Sequence, residues 1–312
     1  MKRKILVTGG AGYIGSVLVP ELLAAGNAVT VLDSFLYSRT SLDAVRRHPA
    51  FELLEGDVRD EVALRPLLAR ADAVIPLAGI VGAPACERDP ATASAVNREA
   101  VLMMLGLLSR EQLVVMPTSN SAYGSGDANH FCDEESPLHP LSLYAKDKVE
   151  VERALMDHPS AVSLRLATVF GMSPRMRLDL LVNDFTWRAL REQRIVLYEG
   201  EYRRNFLHVR DAAGVFLHAL GNAPAMAGQI YNVGLEEANL SKRELCERIR
   251  AQVPGLLITE SPEGRDPDQR DYIVSNAKLA ATGFRARTSL DDGIRELIEG
   301  YATLKGAALR NA

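Results

Sequence analysis

The sequence predicts an α/β fold, a doubly wound parallel sheet with helices on both faces and a smaller substrate-binding region after it. Three observations carry that prediction. Short aliphatic or β-branched runs alternate with amphipathic stretches through the first half of the chain. The runs are apolar almost without interruption, as strands covered on both faces are. The first of them feeds straight into a glycine-rich turn and a helix. A length of 312 residues allows about two domains or one large one.

Taken in order, the strands are predicted at Lys4–Thr8, Ala28–Asp33, Phe51–Glu55, Ala73–Leu77, Leu113–Thr118 and Ser163–Ala167. Between them the apolar spacing predicts helices at Ser16–Ala25, Glu61–Ala69, Ala91–Ser109 and Ser142–Asp157. From about Phe170 the rhythm breaks, and Pro, Arg and Gly punctuate Gly171–Arg177, Glu199–Arg204 and Pro254–Arg270. The boundary is therefore expected near residue 170, with 1–170 binding a cofactor and 171–312 binding substrate. Apolar segments near 206–234 are expected to return to the main sheet. Repeats and low-complexity tracts are absent from the sequence.

Composition narrows the function classes. Hydrophobic residues make up 47% and charged residues 24%, which are ordinary globular values and exclude disordered or disulfide-scaffold classes. Lys and Arg number 36 against 40 Asp and Glu, a net charge of −4 without a long basic block, so neither nucleic acid nor an anionic membrane is the expected partner. Cys86, Cys132 and Cys246 show no metal-binding or CxxC spacing, so no metal is expected and a reducing cytoplasmic setting fits. The basic start Met1–Lys4 leads into an apolar run that ends at Thr8, too short for a secretion signal. No run approaches a membrane span.

The turn Thr8-Gly9-Gly10-Ala11-Gly12-Tyr13-Ile14-Gly15 points to a dinucleotide. Glycines at 9, 12 and 15 allow a tight turn, close approach of backbone to a pyrophosphate and close packing of helix on strand, with the N–H groups around Tyr13 and Ile14 as donors. Asp33 closes the second strand about 20 residues on, where a carboxylate accepts from the adenosine ribose hydroxyls and repels a 2′-phosphate. NAD is therefore the expected cofactor, with Arg39 nearby acting against that preference.

Tyr144-Ala145-Lys146-Asp147-Lys148 places a phenol and an ammonium at i and i+4 on one helical face. Lys148 is expected to lower the Tyr144 pKa and to bond the nicotinamide ribose, leaving Tyr144 as general acid and base.

The GxxGxxG spacing followed by YxxxK resembles the extended members of the short-chain dehydrogenase/reductase superfamily, which have a Rossmann fold, and the likeness runs the length of the chain. It implies adenine contacts from Asp57 and Val58, a floor under the cofactor from Leu77, Ala78 and Gly79, and a cofactor role for Asn97. Thr118-Ser119-Asn120-Ser121-Ala122-Tyr123-Gly124 is similar to the family's SSxxxYG stretch. By that likeness Ser119 bonds the reacting sugar hydroxyl, with Ser121 as a second candidate. Sugar-nucleotide 4,6-dehydratases carry Thr-Asp-Glu where this chain has Ser119-Asn120-Ser121. An amide and a hydroxyl cannot take over the proton transfers of Asp and Glu, so oxidation without dehydration is expected.

Further along, Arg165–Gly171 resembles an LRxxxVYG element. The resemblance assigns Asn183, Arg204 and Arg265 to the diphosphate of a nucleotide sugar, a task suited to guanidiniums that bond phosphate bidentately. His208, inside an apolar run, reads as a buried structural histidine, and Arg175 and Arg177 as part of a pocket wall. Val74–Pro84 and Arg165–Leu190 also look like dehydrogenases that oxidise C4 of nucleotide-activated heptoses. The expected activity is thus NAD-dependent oxidation at C4 of a nucleotide sugar, as a 4-dehydrogenase, of GDP-heptose type, or as a 4-epimerase. The alternatives are a reductase or dehydratase of the same substrates, or a silent NAD-binding regulator. The helices Ala91–Ser109 and Ser142–Asp157 are expected to pair in a homodimer, as their equivalents do in the family.

Overall fold

The computed structural model describes residues 2–125, 131–261 and 270–304. In chain order its strands are β1 (Lys4–Thr8), β2 (Ala28–Asp33), β3 (Phe51–Glu55), β4 (Ala73–Pro76), β5 (Leu113–Ser119), β6 (Phe131–Cys132) and β7 (Ala161–Leu166). There follow β8 (Thr168–Phe170), β9 (Arg194–Leu197), β10 (Arg203–His208), β11 (Gln229–Val233), β12 (Asn239–Ser241), β13 (Leu257–Glu260) and β14 (Ile273–Val274). The helices of the first half are α1 (Gly15–Ala24), α2 (Glu61–Ala69), α3 (Ala83–Arg88), α4 (Pro90–Ser94), α5 (Ala100–Leu107) and α6 (Leu143–Met156). Those of the second half are α7 (Leu181–Arg191), α8 (Val209–Gly221), α9 (Ala223–Met226), α10 (Lys242–Gln252), α11 (Ala277–Ala281) and α12 (Leu290–Thr303).

The main sheet has seven strands in the order β11-β7-β5-β4-β1-β2-β3, and every pairing in it is parallel. Side chains alternate across it. Ile5 and Val7 of β1 pack with α1 and α8 on one face, whereas Leu6 packs with Leu64 and Leu68 of α2, Met104 of α5 and Leu155 of α6 on the other. Burial on both faces explains why the strands read as unbroken apolar runs.

Two features of the sheet position the site. The chain order reverses between β1 and β4, which opens a crevice at their carboxyl ends where ligands of such folds bind. Beyond it, β4 and β5 pair only at Ala73–Leu113 and Val74–Val114, so their carboxyl ends splay and Pro117 fits inside β5 without interrupting a ladder.

The expected helix Ala91–Ser109 is interrupted. Residues Ala95–Glu99 form a π-helical turn between α4 and α5, and the wide turn presents Asn97 to the loop after β4, where its amide accepts from Ile80 N–H (2.9 Å) and donates to Ile80 O (2.8 Å). In the second half, β10 pairs with both β8 and β12, β9 pairs with β13 and β14 with β6. Among the described residues no helix is long and apolar enough to cross a membrane.

Candidate active site

The glycine turn is built for close approach. Gly9 sits at φ +68°, and a Cβ there would lie 2.5 Å from the Ala78 backbone, so the turns after β1 and β4 touch across the crevice. A Cβ on Gly15 would meet Gly10 O at 2.5 Å, which is what lets α1 begin against the strand. The N-terminus of α1 has neither a side-chain cap nor an acidic residue in its first turn, leaving its N–H groups for an anion. Asp33 ends β2 with Oδ2 accepting from Ala11 N–H (2.9 Å) and Oδ1 from Phe35 N–H (2.8 Å). Burial pushes its carboxyl up, against those two bonds. Arg39, expected to work against NAD, is bound at both terminal nitrogens to Glu55 and stacked 5.0 Å from the Phe35 ring centre. These residues fit a dinucleotide with a free 2′-hydroxyl.

Of the other residues expected at the cofactor, Leu77 donates its N–H to Thr8 O (2.9 Å), holding Leu77, Ala78 and Gly79 on the crevice floor. The Asp57 carboxylate, beside Val58, is gripped by Arg59 through its backbone N–H and guanidinium, and that bonding lowers its pKa. The Asn97 amide bonds Ile80 in both directions and so fixes the loop after β4. The Tyr13 hydroxyl turns away from the crevice, donating to Gly171 O (2.7 Å), so only its backbone is offered to a phosphate.

At the candidate reaction centre, β5 delivers Ser119 and α6 delivers Tyr144 and Lys148. Ser142 caps α6 by accepting from Ala145 N–H (3.2 Å). Behind the helix, buried Glu152 accepts from Arg165 of β7, Thr118 of β5 and Ser163 of β7, locking α6 to the two strands. Lys148 Nζ donates to Pro117 O (3.2 Å), two residues before Ser119, and lies 5.8 Å from the Tyr144 ring centre. Ser119 Oγ accepts from Ser121 N–H (3.1 Å). Asn120 is wholly buried, and among the described residues its amide and the Ser121 hydroxyl have no hydrogen-bond partner. Unpaired buried polar groups cost about 1–3 kcal/mol each, so this end of β5 carries polar atoms awaiting a partner.

Burial pushes the Tyr144 phenol up to about 12, and the cations drawing it back down are Arg177 first and Arg270 second. Burial also pushes Lys148 down, to about 8. Arg270 had no sequence signal beyond its place in a charged stretch; the fold sets it ahead of β14, near Tyr144.

Residues 171–183 form a strap over the cofactor turn. Ser173 Oγ donates to Tyr13 O (2.7 Å), and the Arg175 guanidinium stacks 4.2 Å from the Tyr37 ring centre. Asn183, expected on a diphosphate, is wholly buried; it accepts from Gly171 N–H and donates to Tyr13 Oη and Arg177 O. Its amide braces the strap. Arg204 is buried in β10 with Nη1 donating to Arg203 O (2.9 Å). Arg265 lies outside the described residues.

A parallel α/β sheet with a dinucleotide turn at its switch point and a Ser-Tyr-Lys set at the next strand end defines an NAD-binding protein of the short-chain dehydrogenase/reductase type. The comparisons make the family specific: residues 5–234 match the NAD dependent epimerase/dehydratase family, and the chain belongs to it. It is 31% identical to a dTDP-glucose 4,6-dehydratase of Actinoplanes sp., covering 96% of this chain and 97% of that one. It is 27% identical to UDP-glucuronic acid decarboxylase 1 of Arabidopsis thaliana, covering 96% of this chain and 70% of that one. Among solved structures, UDP-glucose 4-epimerase of Thermus thermophilus in complex with NAD superimposes with a TM-score of 0.83 at 25% identity, covering 96% of this chain and 99% of that one.

Proposed function

We propose that this protein oxidises C4 of a nucleotide-activated sugar, as a 4-dehydrogenase of the GDP-heptose type or a 4-epimerase, through Tyr144, Ser119 and Lys148. One observation carries the reading. The Ser-Tyr-Lys set is complete while positions 120 and 121 hold a neutral amide and a hydroxyl, so the chain has the parts for oxidation without the acid and base of a 4,6-dehydratase. The dehydratase relative therefore shares the first half-reaction but not the second. Val74–Pro84 and Arg165–Leu190 support the heptose reading through their likeness to that subgroup.

Bound NAD supplies the hydride acceptor. Tyr144 Oη takes the proton of the C4 hydroxyl, which Ser119 Oγ holds in line. Lys148, anchored on Pro117 O, orients the ribose next to it. Asn120 and Ser121 offer neutral hydrogen bonds to the sugar, and Arg204 with Arg265 serves its diphosphate. We place residues 1–170 as the cofactor domain and 171–312 as mainly substrate-binding, with β10, α8 and β11 returning to the main body, and we infer a homodimer through α5 and α6.

The test is to incubate the protein with NAD and a panel of UDP-, GDP-, dTDP- and ADP-sugars and heptoses, following NADH absorbance and product stereochemistry. NADH with a keto sugar establishes the dehydrogenase, and inversion at C4 without net NADH the epimerase. Tyr144→Phe is expected to cut turnover by about 100-fold or more while leaving NAD affinity within a few-fold. Turnover near wild type in that variant, or a dehydrated 6-deoxy product from the wild type, defeats the reading.

A further inference from the structure

We infer that Arg175 is a cofactor-binding residue: a guanidinium carried by the strap over the glycine turn and stacked on Tyr37 of the loop after β2, where it closes both segments over a bound dinucleotide and supplies positive charge to its diphosphate. The inference rests on NAD as the cofactor and holds whichever carbon of the sugar reacts.

Two segments flank the glycine turn, and each is bonded to it. Ser41, in the loop after β2, donates from Oγ to Ala11 O (2.8 Å). On the strap, Ser173 Oγ donates to Tyr13 O (2.7 Å) and lies 2.9 Å from Ser16 Oγ in the first turn of α1. Arg175 joins the two segments. Its Cζ lies 4.2 Å from the Tyr37 ring centre, so that turn, loop and strap form one closed ring of contacts. The loop is set by Phe35, whose φ of +53° lies in the left-handed region and whose N–H is held by Asp33 Oδ1 at 2.8 Å. Strain of that kind persists where the surroundings fix it, and Tyr37 follows two residues later.

Among the described residues no carboxylate pairs with Arg175. The side chain is 8% exposed, and its one hydrogen bond there runs from Nη1 to Met176 O (2.8 Å). Stacking on a ring face leaves the other N–H groups of the fork directed outward in the guanidinium plane. Arg39 makes the contrast: it too stacks on a ring of this loop, but it is exposed and neutralised by Glu55. Arg177, two residues on, is paired with Asp179. Burial, and next the like charge of Arg177, depress the basicity of Arg175. A cation this buried and unpaired destabilises the fold until an anion joins it. The anion that fits is a diphosphate on the turn that the strap crosses, because the N-terminus of α1 is uncapped and without acidic residues in its first turn, and a guanidinium bonds phosphate oxygens bidentately. A stack with a purely structural role predicts otherwise, since losing it would weaken the protein with and without NAD alike.

The experiment uses the full-length protein. NAD release is timed by loading radiolabelled NAD and chasing with excess unlabelled NAD, and affinities for NAD, ADP-ribose and adenosine are measured by calorimetric titration of the NAD-free chain. Arg175→Gln is expected to speed NAD release and to weaken NAD and ADP-ribose by about ten-fold or more, while adenosine, which has no diphosphate, changes by less than about two-fold. Tyr37→Leu should speed release several-fold and Tyr37→Phe should match wild type, because the ring face holds the guanidinium. Removing an unpaired buried charge should leave the thermal midpoint of NAD-free Arg175→Gln at or above that of wild type, although saturating NAD then raises it by less. An NAD affinity within about two-fold of wild type overturns the proposal, as does adenosine weakened as much as ADP-ribose. So does a loss confined to GDP or UDP binding, which would give the guanidinium to the substrate's diphosphate. Should Arg175→Gln fail to fold, Arg175→Met, which keeps the apolar stem, is read by the same comparison of ADP-ribose with adenosine. None of these readouts depends on turnover, so failure here leaves the C4 chemistry to its own test.

Discussion

Lys148, proposed for the reaction centre, carries a cost for the fold. Burial pushes its ammonium down to about 8 from the ordinary 10.5, while Asp147 and Cys86 pull the other way. A base whose folded pKa is depressed binds protons more weakly folded than unfolded, so stability rises with pH between those two values and is diminished below them. At pH 7 a protonated Lys148 therefore destabilises the protein. Lys148→Met, similar in shape and free of charge, is expected to raise the unfolding free energy of the NAD-free protein by about 1–3 kcal/mol while abolishing turnover. Urea denaturation at pH 7 and pH 9 measures it. The gain should shrink at the higher pH, and a loss of stability at both would show that the Pro117 bond outweighs desolvation.

At the scale of elements, α5 and α6 carry the inferred homodimer. Leu102 on α5 is 37% exposed and Leu141, just before α6, is 49% exposed, a placement that leaves apolar surface on the side of these helices away from the sheet. Leu102→Asp is expected to give a monomer where the wild type sediments as a dimer at micromolar concentration; a monomeric wild type removes the interface. These elements also show what the sequence could carry. Strands came through closely, because a parallel strand buried on both faces is a plain apolar run, and β1, β2 and β3 lie where their runs do. The π turn at Ala95–Glu99 did not, since one inserted residue leaves helical periodicity almost intact. Asn183 and Asn97 bond Gly171, Tyr13, Arg177 and Ile80, partners that the sequence did not name. Which partner an amide chooses depends on where Gly171 and Ile80 stand in space, and spacing is silent on that. Tyr144, Lys148 and Ser119 could be proposed from the sequence because the family resemblance fixes their order along β5 and α6.

Over the whole molecule, the last helix closes the fold back on the strap that shapes the site. Tyr301 of α12 donates to Asn183 O (3.0 Å), and Glu296 places Oε2 2.8 Å from His208 Nε2 and Oε1 2.8 Å from Arg210 Nη1. His208, expected as a structural histidine, is wholly buried; its Nδ1 accepts from Arg210 N–H, so in the neutral ring Nε2 carries the proton toward Glu296. The ring also fills space that only glycine leaves open, since a Cβ on Gly171 would come within 2.3 Å of Nε2. Burial raises the Glu296 pKa, but His208 and Arg210 outweigh it and leave the carboxyl below its ordinary 4.5. A carboxyl depressed in the folded state contributes stability above its unfolded pKa and loses it as the pH falls through the folded value. Glu296→Gln should therefore lower the midpoint of thermal unfolding by roughly 2–4 °C at pH 7, an effect of about 1–2 kcal/mol for this part-exposed pair. The gap to wild type should narrow as the pH drops below 4.5, because protonation removes from the wild type what the substitution has already removed. Calorimetry at pH 7 and pH 4 tests this, and a gap that stays constant with pH would mean that the charge of Glu296 contributes nothing to it.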